Sequence, residues 1–438
     1  MTNDMTRGNP TRLIISFTLP VLFGNLCQQL YGMVDSIIVG RAISMEALAA
    51  VGATSGISFL VIGCIQGLTA GFSVITAQRF GAGDYEGVKR SVATSALLSL
   101  AATVLLTAAG ILTARPLLEV MNTPADIIED SYAYIIVIYY GVAATAFYNL
   151  LSCIIRALGD SKTPLIFLVF ASFLNVALDL LFIITFHMGV GGAAWATVLS
   201  QGVSGLLCLG YAWRRFPLLR MEKRHWTFVI TGTSVLVNQA VLNLFGSAAV
   251  AAFSAASKIH MLSEQVAVSF GTAMATYAGQ NYGAGKAGRV REGLRKCALA
   301  CEAITLGIMV IMTAFGGVMS SWFIDGYHPE VIQQAHLYLF ISALFYPALT
   351  MLFLYRNTLL GLGNGVTPML AGVCELLSRM IGAPVLGHFF GFTGLCWINP
   401  IAWVTASGLL FLSYRKTMRN IRPVDPTVDA SDSNKIMN

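Results

Sequence analysis

Two aspartates lie where this chain otherwise carries few charges. Asp35 and Asp179 each sit inside a long apolar run, and only 11% of the 438 residues are Asp, Glu, Lys or Arg. A carboxylate at bilayer depth costs roughly 2.5–3.5 kcal/mol on insertion scales, so a retained one is a candidate for ion chemistry. Its neighbours extend the pattern. Asn25, Gln28, Gly32 and Asp35 recur at steps of three and four, which puts them along one helix face, with Tyr31 beside it. Ser172, Asn175 and Asp179 share a second face, and Thr197, Gln201 and Ser204 a third. Three polar stripes point to a hydrated cavity in the first half of the chain, with a hydrogen-bond network that merely packs the helices as the alternative.

The second half differs. It has Glu375 and Arg379, four apart and able to pair, and Lys258 and Glu264 in another apolar run. Gln28, Tyr31, Gln201, Glu264, Glu375 and Arg379 are the candidates for a substrate cavity. For Glu375 and Arg379 a self-neutralised structural pair competes with that role. Enzymatic motifs are missing: there is no HExxH, no GxSxG and no His/Asp cluster at membrane depth. The eight Cys lie in apolar segments without a CxxC and read as packing residues. Gly283-Ala-Gly285-Lys-Ala-Gly288 matches G-x-G-x-x-G, but it follows an apolar helix instead of a strand, so no dinucleotide site is expected.

The elements that hold these residues are membrane spans. With 56% hydrophobic residues the chain has more apolar surface than a soluble core can hide. Apolar runs of about 20 residues recur, long enough to cross about 30 Å of hydrocarbon as helix. Twelve are expected, at about 13–39, 47–77, 92–113, 131–154, 164–186, 190–213, 226–246, 248–278, 296–318, 335–359, 366–390 and 392–414. With the N-terminus inside, 23 of the 27 Lys and Arg fall in the cytoplasmic segments, Arg356 among them. That bias accounts for the net charge of +6 without nucleic acid. Both termini are expected in the cytoplasm and the first span uncleaved.

The chain also repeats itself. Gln78-Arg-Phe-Gly81-Ala-Gly83 returns 202 residues later as Gln280-Asn-Tyr-Gly283-Ala-Gly285, and Gly159, Thr163 and Pro164 return after 204 as Gly363, Thr367 and Pro368. Six spans per repeat is an even number, so the repeats are parallel, with the substrate path between them. The expected organisation is a six-helix lobe at 1–213, a basic linker at 214–225, a second lobe at 226–414 and a disordered tail at 415–438. The Gly-Ala-Gly stretches should end spans 2 and 8. Gly63, Gly67 and Gly71 in span 2 should pack closely within the same half, with a self-association face as the alternative.

At these residues the chain resembles the multidrug and toxic compound extrusion (MATE) transporters. The matching motifs are Leu19-Pro20 with Asp35, Gln78–Gly83, Arg156-Ala-Leu-Gly159-Asp160 through Thr163-Pro164, Asn175-Val-Ala-Leu-Asp179, Gly192-Ala-Ala-Trp-Ala-Thr197 and Gly279–Gly283. The resemblance implies a V-shaped twelve-helix fold that extrudes organic cations in exchange for protons or sodium. It places the ion-coupling site on Asp35, Asn175, Asp179 and Thr197, with sodium the only metal that could sit there and no cofactor. It further implies a monomer in the bacterial cytoplasmic membrane, with lipid and a small organic cation as partners. One departure stands out: at the repeat offset Leu19-Pro20 falls on Met221-Glu222, inside the basic linker, so span 7 reads as about two turns short. A transport-impaired member, or a flippase for a lipid-linked precursor, are the alternatives. Against the flippase stands the lack of a mid-membrane Arg or Lys cluster.

Overall fold

The computed structural model describes residues 4–121, 123–216, 246–321 and 329–421, and among them every regular element is helical. In chain order these are α1 (Pro10–Ala42), α2 (Met45–Gly81), α3 (Tyr85–Val120), α4 (Ile128–Tyr140), α5 (Val142–Ala157), α6 (Lys162–Asp179) and α7 (Gly189–Arg215). The second half adds α8 (Gly246–Gly283), α9 (Ala287–Ser321), α10 (Pro329–Leu344), α11 (Tyr346–Gly361) and α12 (Val366–Asn420). A π-helical turn, Leu180–Thr185, continues α6.

Seven of the described helices are long and apolar enough to cross a membrane, or nine spans when α4–α5 and α10–α11 each count as one, bent by 45° and 52°. The 55-residue α12 is long enough for two crossings and breaks at Gly391 (φ 58°), between the two spans expected there. At 38 residues α8 is also long enough, but its middle carries Lys258, His260 and Glu264. Eleven of the twelve expected spans therefore have helical counterparts. The twelfth, at 226–246, lies almost wholly outside the described residues, as do the linker beyond Phe216 and the tail beyond Ile421.

The caps explain where the helices start. Asn9 accepts from the Thr11 amide, with Pro10 at the first helical position, and Ser44 accepts from the Ala47 amide. Asp160 accepts from the amides of Lys162 and Thr163 and from the Thr163 hydroxyl, at 3.1, 3.1 and 2.7 Å. At the repeat offset Asn364 accepts from the Thr367 amide and hydroxyl, both at 3.2 Å. Gly83 and Gly285, with φ of 72° and 70°, turn the chain beyond α2 and α8 as left-handed caps. The bends at Gly141 and Phe345 are also one repeat apart. The duplication seen in sequence is thus a duplication of caps, turns and bends.

α1 joins the two halves. It packs on α6 of its own half and on α8 and α9 of the other. Ile14 and Phe17 bury with Tyr277 and Leu294. Among the described residues nothing lies within 4 Å of a Cβ placed at Gly63, Gly67 or Gly71, so the close packing expected there is not made. The glycines of α2 and α8 that press directly on another helix's backbone are Gly81 and Gly283, at the end of the molecule that carries the basic segments.

Candidate functional site

α1, α6 and α7 bring the polar stripes of the first half together. Asp35 is 7% exposed, Asn175 1%, Asp179 0% and Gln201 7%. The carboxyls of Asp35 and Asp179 meet within hydrogen-bonding reach of each other. Asn175 lies one turn before Asp179 and donates from Nδ2 to Thr197 Oγ1 at 3.3 Å. The Tyr31 hydroxyl is within reach of the Gln28 and Gln201 side chains and faces both acids. The four residues expected to hold an ion are therefore neighbours, and Gln28, Tyr31 and Gln201 adjoin them.

Several acceptors of this cluster go unmet. Asp35 Oδ1, both Asp179 carboxylate oxygens, Asn175 Oδ1 and Gln201 Oε1 are buried without a hydrogen-bond partner. An unpaired buried acceptor costs about 1–3 kcal/mol, and more when charged. Two adjoining carboxylates repel each other as well. A single proton shared by the pair, or one cation among these oxygens, relieves both penalties. The π turn begins directly after Asp179. Such turns shift helix register by one residue and often mark functional sites.

The candidates of the second half form a separate cluster. Glu375 pairs with Arg379 at 3.6 Å, as the four-residue spacing suggested. It also accepts from Arg356 Nη2. Arg356, expected in a cytoplasmic segment, sits within α11 and reaches to Glu375 of α12. Two guanidiniums thus share one carboxylate. Glu264 stands 3.9 Å from His260 Nε2. His260 lies against both Tyr346 and Trp403, with ring centroids 5.6 and 5.4 Å away, and pairs with the Tyr346 hydroxyl at 3.0 Å.

Several residues of these clusters carried no sequence signal. Tyr134 of α4 packs against the cluster of Val39 and Ile183, near Asp35 and Asp179, yet a tyrosine in an apolar run reads as packing. His260 and Tyr346 meet only through the fold. Asn25, read as part of the polar face of span 1, turns to the other half and donates to Ser269 Oγ at 3.1 Å. Among the described residues no group of three or more His, Cys, Asp or Glu could hold a metal ion.

Comparison with known proteins agrees with this architecture. The MatE family model matches residues 20–181 and 227–385. The chain is 31% identical over 428 residues to the probable multidrug resistance protein YpnP of Bacillus subtilis, covering 93% of this chain and 94% of that one. It is 25% identical over 443 residues to the probable multidrug resistance protein YoeA of the same organism, covering 94% and 95%. Among solved structures, an outward-facing conformation of a multidrug resistance MATE family transporter of the MOP superfamily superposes with a TM-score of 0.84. It is 23% identical, over 95% of this chain and 98% of that one.

Proposed function

This chain belongs to the MATE (MatE) family of membrane transporters, and on that premise we propose that it is a secondary antiporter. It extrudes cationic amphipathic compounds in exchange for protons or sodium. The observation that carries this reading is the acid pair: Asp35 and Asp179 adjoin, buried, with three of their four carboxylate oxygens unpartnered. Such a site has little reason to persist for stability, because an Asn at either position would supply the missing donor. Its use is to take up and release one positive charge.

The cycle follows from charge balance. With the site empty, two carboxylates repel and the cavity attracts an organic cation. Uptake of a proton or sodium neutralises the pair, lets α1 and α6 pack more closely and removes the attraction for the substrate. A bound ion and a bound cationic substrate are then antagonists, and linkage makes that antagonism reciprocal. Asn175 and Thr197 contribute neutral oxygens that suit either a protonated acid or a partly dehydrated sodium ion. The Arg356–Glu375–Arg379 ladder braces α11 against α12 in the other half. The basic end faces the cytoplasm of a bacterial cell, in the cytoplasmic membrane, and the protein works as a monomer.

The test is efflux of a fluorescent organic cation from proteoliposomes, with a proton gradient and a sodium gradient imposed separately. One of the two gradients drives uphill efflux in the wild type. Efflux indifferent to both gradients refutes the antiporter reading.

A further inference from the structure

The duplicated motif meets itself. At the basic end of the molecule α2 and α8 cross with their backbones in contact. A Cβ on Gly81 would lie 2.1 Å from the Gln280 carbonyl oxygen, and a Cβ on Gly283 would lie 1.9 Å from that of Gln78. Only glycine fits at either place. One turn before Gly283, a Cβ on Gly279 would stand 3.2 Å from the Ala77 Cβ.

From this crossing the two glutamine side chains reach over the seam in opposite directions. Gln78 Nε2 donates to the carbonyl of Gly361, the last residue of α11, at 2.7 Å. Gln280 Nε2 donates to the carbonyl of Ala157, the last residue of α5, at 3.0 Å. Residues 157 and 361 are 204 apart, which is the repeat offset. One bond is therefore made twice, with the halves exchanged. Each supplies a donor to a helix-terminal carbonyl that its own helix cannot satisfy.

The N-terminal segment fastens the same seam. Met5 is 1% exposed, and its amide donates to Gln280 Oε1 at 2.9 Å. Asn281 Nδ2 donates to the Met5 carbonyl at 3.0 Å, and Lys286 Nζ to that of Thr6 at 3.1 Å. The chain just ahead of α1 is thus tied to the end of α8.

We propose that Gln78 and Gln280 are the paired positioning residues of a latch that holds the basic end of the transporter shut. The inference rests on the transport reading, because transport requires this end to open in turn. Both glutamine bonds span the same seam and are related by the repeat, so parting α2 from α8 breaks them together. The ends of α5 and α11 are released in the same step. Closure is then sharply two-state, which an exchanger needs if it is not to leak. Each neutral bond is worth about fivefold in the ratio of closed to open forms, and the pair about thirtyfold.

Two experiments test it in the full-length protein. In the first, Val74→Cys reports on the seam, since Val74 is buried and its carbonyl lies 3.7 Å from the Gly279 Cβ position. An impermeant maleimide is offered at the basic face. Gln78→Ala and Gln280→Ala each raise the labelling rate severalfold, and the double variant raises it by about thirtyfold. Gln280→Glu, which keeps the reach and loses the donor, behaves like Gln280→Ala. A merely structural glutamine would lower melting temperature without this change in accessibility. In the second, Ala77→Cys with Gly279→Cys is oxidised across the seam with copper phenanthroline. Cross-linking abolishes efflux and reductant restores it, while each single variant and the wild type are indifferent to oxidant. Unchanged labelling in the double glutamine variant, or efflux by cross-linked protein, overturns the latch. If the wild type shows no efflux, the antiporter reading fails by itself and the labelling decides on the latch alone.

Discussion

Replacing Asp35 by Asn separates charge from shape. Asp35 and Asp179 adjoin, so a cation held by both lies about one contact distance from each carboxylate. At about 4 Å and an effective dielectric of about 20, each carboxylate contributes roughly 4 kcal/mol to holding that cation. Asp35 is only 7% exposed, so solvent screens little of it. Asp35→Asn should therefore weaken ion binding about a thousandfold, which takes the site out of any physiological concentration range. The fold should not suffer. The new amide can donate to an Asp179 oxygen that now lacks a partner, so the melting temperature holds or rises, by about 1 kcal/mol in stability. The assay compares gradient-driven efflux per unit of reconstituted protein with thermal unfolding of the same preparations. Expected is efflux at background with an unchanged or raised melting temperature, and the same for Asp179→Asn. A folded Asp35→Asn protein with half or more of wild-type efflux refutes the reasoning. So does loss of efflux that merely follows loss of fold.

Further outcomes follow from the same geometry. Glu375→Gln leaves Arg356 and Arg379 without their shared carboxylate; the melting temperature should fall, while the remaining folded protein keeps its dependence on the imposed gradient. Asp84 caps α3 by accepting from the Gly87 amide at 2.8 Å and pairs with Arg79 at 2.8 Å. Asp84→Ala should cost about 1 kcal/mol of stability. The Gly87 amide, with Arg79 beside it, holds the Asp84 carboxyl below the usual carboxylate range. Its contribution is therefore complete above that range and is lost as pH falls through the lowered value, so the two proteins should converge in stability in acid. Cysteines placed at Gly83 and Gly285 should both be labelled from the cytoplasmic side only, and labelling of either from outside would break the parallel-repeat topology.

Much of the architecture was legible in the sequence because a bilayer imposes simple demands. A crossing helix needs about 20 apolar residues, and basic residues mark the face that is not translocated. The polar stripes that hold Asp35, Asn175, Asp179 and Thr197 were legible for the converse reason, since polar groups at that depth stand out and their spacing shows which share a face; the resemblance to the family singled out these four. Arg356 escaped because an arginine close to the end of an apolar run looks like loop. Only the packing of α11 on α12 shows its head group turned toward Glu375. His260, Tyr346 and Trp403 come from three helices far apart in sequence, and no spacing rule joins them. The duplicated glutamines were visible as a repeat, but not their exchange across the seam, because parallel repeats can meet in more than one way. The break at Gly391 fell where two apolar runs abut, whereas the π turn after Asp179 left no mark in the apolar pattern.

The central claim is that Asp35 and Asp179 together hold the coupling ion that a substrate displaces. Its most direct test is ion release from purified protein on substrate addition. In weakly buffered detergent solution at neutral pH, an organic cation should release about one proton per wild-type molecule, or displace one sodium ion in sodium-loaded protein. Asp35→Asn and Asp179→Asn should release none, whereas Glu375→Gln should release as the wild type does. Release of the same size from a folded aspartate variant would contradict the account.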